Sequence, residues 1–136
     1  MAFESSKDSV VEQLCETVTL PRMVRVSQKF DHSHIEPEDI PSVIQRELGR
    51  EAVRERIKPG MKIAITCGSR GIANIATIIK AIVDFVKAQG AEPFVFPAMG
   101  SHGGATVAGQ LEVLESYGVT EEAMGCPIRA TMETVY

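Results

Sequence analysis

The side chains best equipped for chemistry in this 136-residue sequence lie in two short stretches written almost alike, Gly68-Ser-Arg-Gly-Ile-Ala-Asn74 and Gly100-Ser-His-Gly-Gly-Ala-Thr106. Only the third position changes character, Arg70 in one and His102 in the other. A guanidinium presents a planar fork of donors suited to bidentate capture of a carboxylate or phosphate. An imidazole both takes and gives a proton near neutral pH. The glycines around them, Gly68 and Gly71 in the first stretch and Gly100, Gly103 and Gly104 in the second, let the backbone turn sharply and approach a ligand where a Cβ would obstruct it. Ser69 and Ser101, with the free amides of any helix that follows, can donate to an anion. The pair therefore reads as an anion holder beside a proton carrier. Gly-rich turns between strand and helix also serve purely structural ends, and a single GxxG is weak evidence. It is the repetition with Arg exchanged for His that points to function. Neither stretch fits GxxxxGK[ST] or GxGxxG, so Walker and ordinary dinucleotide-binding readings are unsupported.

Such loops need elements to hold them. Lys62-Ile-Ala-Ile-Thr-Cys67 is an apolar run without polar alternation, as expected of a strand covered on both faces. Ile75, Ile78, Ile79, Ile82, Val83 and Val86 then recur at helical spacing, with Lys80, Asp84 and Lys87 opposite and Gly90 past the end. Pro93 to Ala98 supplies the next strand, and Thr106 can cap a helix bearing Val107, Leu111 and Leu114 that stops at Gly118. Strand, helix, strand, helix predicts an α/β fold: a mostly parallel sheet with helices on both faces, built of Rossmann-like βαβ units. The loops after the two strands then share the sheet edge where ligands bind in such folds. Upstream, residues 1–20 read as an extension, with Val10, Val11, Leu14 and Val18 spaced for a short amphipathic helix, and residues 21–136 as the domain. Val24 and Val26 alternate with Arg25 and Ser27 in an edge-strand pattern over Pro21 to Phe30. A helical segment is predicted between Ile35 and Ile57, with prolines 37 and 41 in first-turn positions and a break at Gly49. Thr120-Glu-Glu predicts a capped turn, and Cys126 to Met132 a further strand.

Composition narrows the classes. A net charge of -4 with scattered Lys and Arg offers no broad basic face for nucleic acid or an anionic membrane. The start of the chain has no signal-like apolar core and no stretch reaches a membrane span, so a cytoplasmic protein is expected. The three cysteines, Cys15, Cys67 and Cys126, show no CxxC spacing and fit a reducing compartment. Asp31-His-Ser-His34 has an HxH look but lacks the further ligands of a closed metal site, and no metal ligand is assigned. Cys67 is read as a small buried hydrophobe, and Arg129 as a surface salt-bridge partner.

The stretch Lys58-Pro-Gly-Met-Lys-Ile-Ala-Ile-Thr-Cys-Gly-Ser-Arg-Gly-Ile-Ala-Asn-Ile75, followed by Pro97-Ala-Met-Gly-Ser-His-Gly-Gly-Ala-Thr106, resembles the N-terminal domain of the nickel-pincer lactate racemase family. The resemblance covers roughly the last 80 residues. It implies one half of a two-domain isomerase that interconverts the stereoisomers of a 2-hydroxy acid with a nickel-pincer nucleotide, the site lying between the domains. It also implies that Arg70 contacts the substrate carboxylate and His102 is one of two acid/base residues. Family members acting on lactate place an Asp three residues before the loop Arg, where this sequence has Cys67, so the form here looks like a sister branch and lactate itself is not implied. The cofactor-tethering Lys, the nickel-ligating His and the second catalytic His belong to a C-terminal domain. No cofactor bound covalently to this chain is expected, the chain alone is expected to be inactive, and its end after Val135-Tyr136 reads as a truncation. A homo-oligomer is compatible with this reading. Competing readings from other classes are a non-catalytic nucleotide- or phosphate-binding module, and a scaffold whose loop edge docks a protein.

Overall fold

The computed structural model describes residues 22–133, together with 13, 15, 16, 18 and 19. The chain divides into two units, Met1–Ser33 and His34–Tyr136. In the first, residues 22–30 carry no strand, and Val24 and Val26 are exposed on successive alternate positions. The expected edge strand is therefore not formed. Alternation makes a strand only where a neighbouring ladder takes up the backbone hydrogen bonds, and none is present for this segment among the described residues. Asp31 instead closes a local turn, its carboxylate accepting from the Ser33 amide and hydroxyl, each at 2.9 Å. Those bonds, the amide's first, hold the Asp31 carboxyl below its usual range. The amphipathic helix expected on Val10, Val11, Leu14 and Val18 rests, Val18 aside, on residues outside those described.

The second unit is a mixed helix and strand structure around a small parallel sheet. A 3-10 turn at Pro37–Asp39 leads into α1 (Ile40–Leu48), and after the break at Gly49 a short α2 (Glu51–Arg54) follows. β1 (Lys62–Cys67), α3 (Ile75–Ala88) and β2 (Glu92–Pro97) form the central crossover. The strands pair parallel and in step, Lys62 beside Glu92 through Cys67 beside Pro97. α4 (Val107–Ser116) and α5 (Glu121–Met124) follow, and Ile128 returns to make a single parallel bridge with Val95. The strand expected over Cys126 to Met132 is reduced to that bridge.

Helix formation follows the sequence closely. The isoleucine stripe of α3 buries Ile75, Ile79, Val83 and Val86, and Thr106 and Thr120 cap α4 and α5 by accepting from the Gly109 and Ala123 amides. The α3 stripe meets Ile65, Cys67, Val95, Leu114, Val119 and Met124 in one core cluster. Each fully buried Leu or Val contributes about 1.5–3 kcal/mol. α1 packs against α3, with Gln45 reaching the Ala81 carbonyl.

The sheet differs from expectation on one point. Along β1, Ile65 and Cys67 are buried while Ala64 and Thr66 are exposed, so only one face is covered among the described residues. The reason is topological. β1, β2 and the Ile128 bridge lie side by side in chain order, and right-handed connections laid down without a reversal of order all fall on the same side. The other face carries Phe94 and Phe96, their ring centroids 6.4 Å apart. Arg129 stacks its guanidinium over Phe94 at 4.7 Å in place of the expected surface salt bridge. No described helix is long and apolar enough to cross a membrane.

Candidate active site

Parallel strands end on the same side, so the loops leaving Cys67 and Pro97 are neighbours, tied at their start by the Ala98 amide donating to the Cys67 carbonyl at 2.8 Å. In the first loop, Ser69 turns inward and is only 8 % exposed, whereas Arg70 projects outward. In the second, residues His102–Ala105 form a 3-10 turn interrupted at Gly103 and Gly104, whose φ values of 64° and 66° lie in the left-handed region. That reversal turns His102 back toward the first loop.

The two loops meet side chain to side chain. The Arg70 Nη2 lies 2.5 Å from His102 Nε2, and Ser69 Oγ hydrogen-bonds His102 Nδ1. A guanidinium only donates, so Nε2 must accept, and an imidazole accepting at Nε2 carries its proton on Nδ1. Nδ1 then donates to Ser69 Oγ. The donor-only guanidinium thereby fixes the tautomer, which leaves the basic nitrogen on the side facing Arg70. Arg70, with one donor on His102, keeps the others for an incoming anion. Ser69, expected to orient a carboxylate, here touches the imidazole. Ser101 is exposed and stands outside this cluster.

Gly68 and Gly71 flank the Ser-Arg pair, and Gly71 with φ of +73° needs the freedom of glycine. Gly100, with φ of +57°, opens the second loop. A small cavity of about 50 Å³ lies beside Arg70, walled by Ser69, Gly71, Ile72, Ile75 and Tyr117. Sequence reasoning missed two residues of this region. The Tyr117 hydroxyl donates to the Ser69 carbonyl, and buried Gln110 donates from Nε2 to the Gly100 carbonyl at 2.9 Å.

Cys67 is fully buried at the foot of the first loop and belongs to the core rather than to the cavity. Burial pushes its thiol above the ordinary value, and burial does the same at Cys126, partly offset there by Lys87. In the unfolded chain both thiols ionise near pH 8.5 or so. Below that pH both states hold the protons and stability is unaffected. As pH rises from there through the raised native values, only the unfolded state has released them, so stability falls. The melting temperature should decline above about pH 8.5, and Cys67→Ala should flatten that decline; an unchanged slope in scanning calorimetry would contradict the assignment.

Among the described residues no group of three or more His, Cys, Asp or Glu side chains could hold a metal ion. His34 sits 3.0 Å from Glu36 in an exposed pair. No family model, curated protein or solved structure matches this chain.

Proposed function

We propose that this chain forms one wall of the active site of a nickel-pincer-nucleotide-dependent racemase or epimerase acting on a 2-hydroxy acid, with a second domain supplying the other wall. The observation that carries the reading is the meeting of Arg70 and His102 at the end of two parallel strands, an anion holder touching a proton carrier. In this reading β1, α3 and β2 are a Rossmann-like βαβ unit to which a further domain adds.

Inverting a 2-hydroxy acid requires the C2 hydrogen to leave from one face and return on the other. The cofactor implied by the sequence resemblance would, when bound, accept and return that hydrogen as hydride. Among the described residues of this chain, no group of three or more His, Cys, Asp or Glu builds a nickel site. What they do is bind and move a proton. Arg70 swings from His102 Nε2 onto the substrate carboxylate, leaving the basic nitrogen free beside the C2 hydroxyl. His102 takes the hydroxyl proton as the C2 hydrogen departs, which leaves a 2-keto acid, and returns it when the hydrogen comes back. Ser69 holds Nδ1–H throughout, so the proton exchanges only at Nε2.

The binding half is testable on the chain itself. In an amide NMR titration with lactate or another short 2-hydroxy acid, resonances of residues 68–74 and 100–106 are expected to shift together. Arg70→Lys keeps the charge but loses the planar fork, and should weaken binding about tenfold, the equivalent of 1.4 kcal/mol. A response to a mononucleotide with none to hydroxy acids would replace this reading with the phosphate-binding module.

A further inference from the structure

We infer that Tyr117 and Gln110 are positioning residues, two arms on one helix that set the alignment of the Arg70 and His102 loops. The inference rests on the functional reading above and goes beyond it, because each side chain spends its donor on a loop carbonyl rather than on substrate.

The observations converge on α4. Its first turn is pressed against the His102 loop, since a Cβ added to Gly103 would stand 2.5 Å from the Gln110 amide nitrogen. Gln110 itself is 6 % exposed and spends its side-chain amide on the Gly100 carbonyl at 2.9 Å. Just beyond the last turn, Tyr117 spans to the other loop and donates its hydroxyl to the Ser69 carbonyl. Both acceptors are backbone groups in the loops that carry the functional side chains, and both donors belong to the same rigid rod. Ser69 is the residue whose hydroxyl receives the imidazole proton, and Arg70 is its chain neighbour. The Tyr117 bond therefore fixes the plane of the peptide between Ser69 and Arg70, and so the direction in which both side chains leave. Without these two bonds Gly100 would rest on the strand end behind it, and Ser69 on its strand end and its hydroxyl bond to His102. A helix that grips both loops makes their separation a property of its own length rather than of loop flexibility.

The test reads the imidazole directly. Nitrogen chemical shifts of His102 report which ring nitrogen carries the proton, a quantity that a generally loosened fold does not select. In the parent chain the proton is expected on Nδ1. Tyr117→Phe, which removes one hydroxyl, should mix the two tautomers and weaken the lactate response severalfold. Gln110→Met, close in shape but without the donor, should shift the amides of residues 100–104 and weaken the response while leaving those of 68–70 near their parent positions. Ser116→Ala serves as the control, since that hydroxyl bonds only the Val113 carbonyl of the same helix, and should change neither readout. If Ser69→Ala moves the tautomer and Tyr117→Phe does not, the clamp is refuted and the functional reading stands. A parent chain that gives no carboxylate response at all removes the functional reading, and the clamp's purpose with it.

Discussion

Under the proposed function, replacing His102 with Ala in the proposed cofactor-loaded, two-domain enzyme is expected to lower turnover by about 10²–10⁴-fold in at least one direction, the usual contribution of a positioned acid/base group, while hydroxy-acid affinity stays within a few-fold. The division follows from the geometry. His102 spends Nδ1 on Ser69 and meets Arg70 only through Nε2. Its loss takes away the proton acceptor but leaves the guanidinium and its remaining donors in place. Removing a competitor for one N–H can even tighten carboxylate binding. A steady-state assay run from each enantiomer separates the two effects: kcat should collapse while KM holds. The 136-residue chain alone, assayed in parallel, should give no interconversion. Equal loss of kcat/KM through KM with kcat preserved would make His102 a binding group, and undiminished turnover would end its assignment as a base.

The parts of this site that could be read in the sequence are those encoded locally. The isoleucine stripe from Ile75 to Val86 specifies α3 because burial on one face repeats at the helical period. The caps at Thr106 and Thr120 are hydroxyls reaching amides three residues on. The strand–loop–helix rhythm around each Gly-Ser-X-Gly stretch is likewise short-range, and so the two loops could be found before any coordinates.

What the sequence withheld is non-local. Ala64 and Thr66 are small enough that Lys62 to Cys67 looks uniformly apolar, and nothing in the strand says that its neighbours follow in unreversed order and leave one face open. Val24 and Val26 alternate as a strand does, yet the pattern cannot supply the partner ladder. Ser69 was legible as a polar loop residue, but not that it would turn inward to a histidine 33 positions away. Tyr117 and Gln110 left no signal at all, because each bonds a backbone carbonyl, and a carbonyl has no residue identity to match.

Gly109 sets local propensity against packing most sharply. It lies inside α4, where exchanging Gly for Ala ordinarily gains roughly 0.5–1 kcal/mol. Here an added Cβ would overlap the Gly103 carbonyl oxygen and come within 2.7 Å of the Gly103 carbonyl carbon. Both are backbone atoms of the His102 turn, held by left-handed φ values and unable to yield as a flexible side chain would. Overpacking typically costs about 1–3 kcal/mol even where side chains can adjust, so steric cost outweighs the propensity gain. Gly109→Ala is expected to destabilise the domain by about 2–4 kcal/mol, lowering the melting temperature by roughly 8–32 °C on the usual 4–8 °C per kcal/mol for a small domain. Gly104→Ala makes the contrast. Its added Cβ meets nothing within 4 Å, and only the positive φ opposes it, a cost of about 1 kcal/mol. Thermal melts of the two variants should therefore differ widely despite identical chemistry five positions apart. Equal melting temperatures would mean that the His102 turn does not sit against α4, and the alignment of His102 with Arg70 would lose its support.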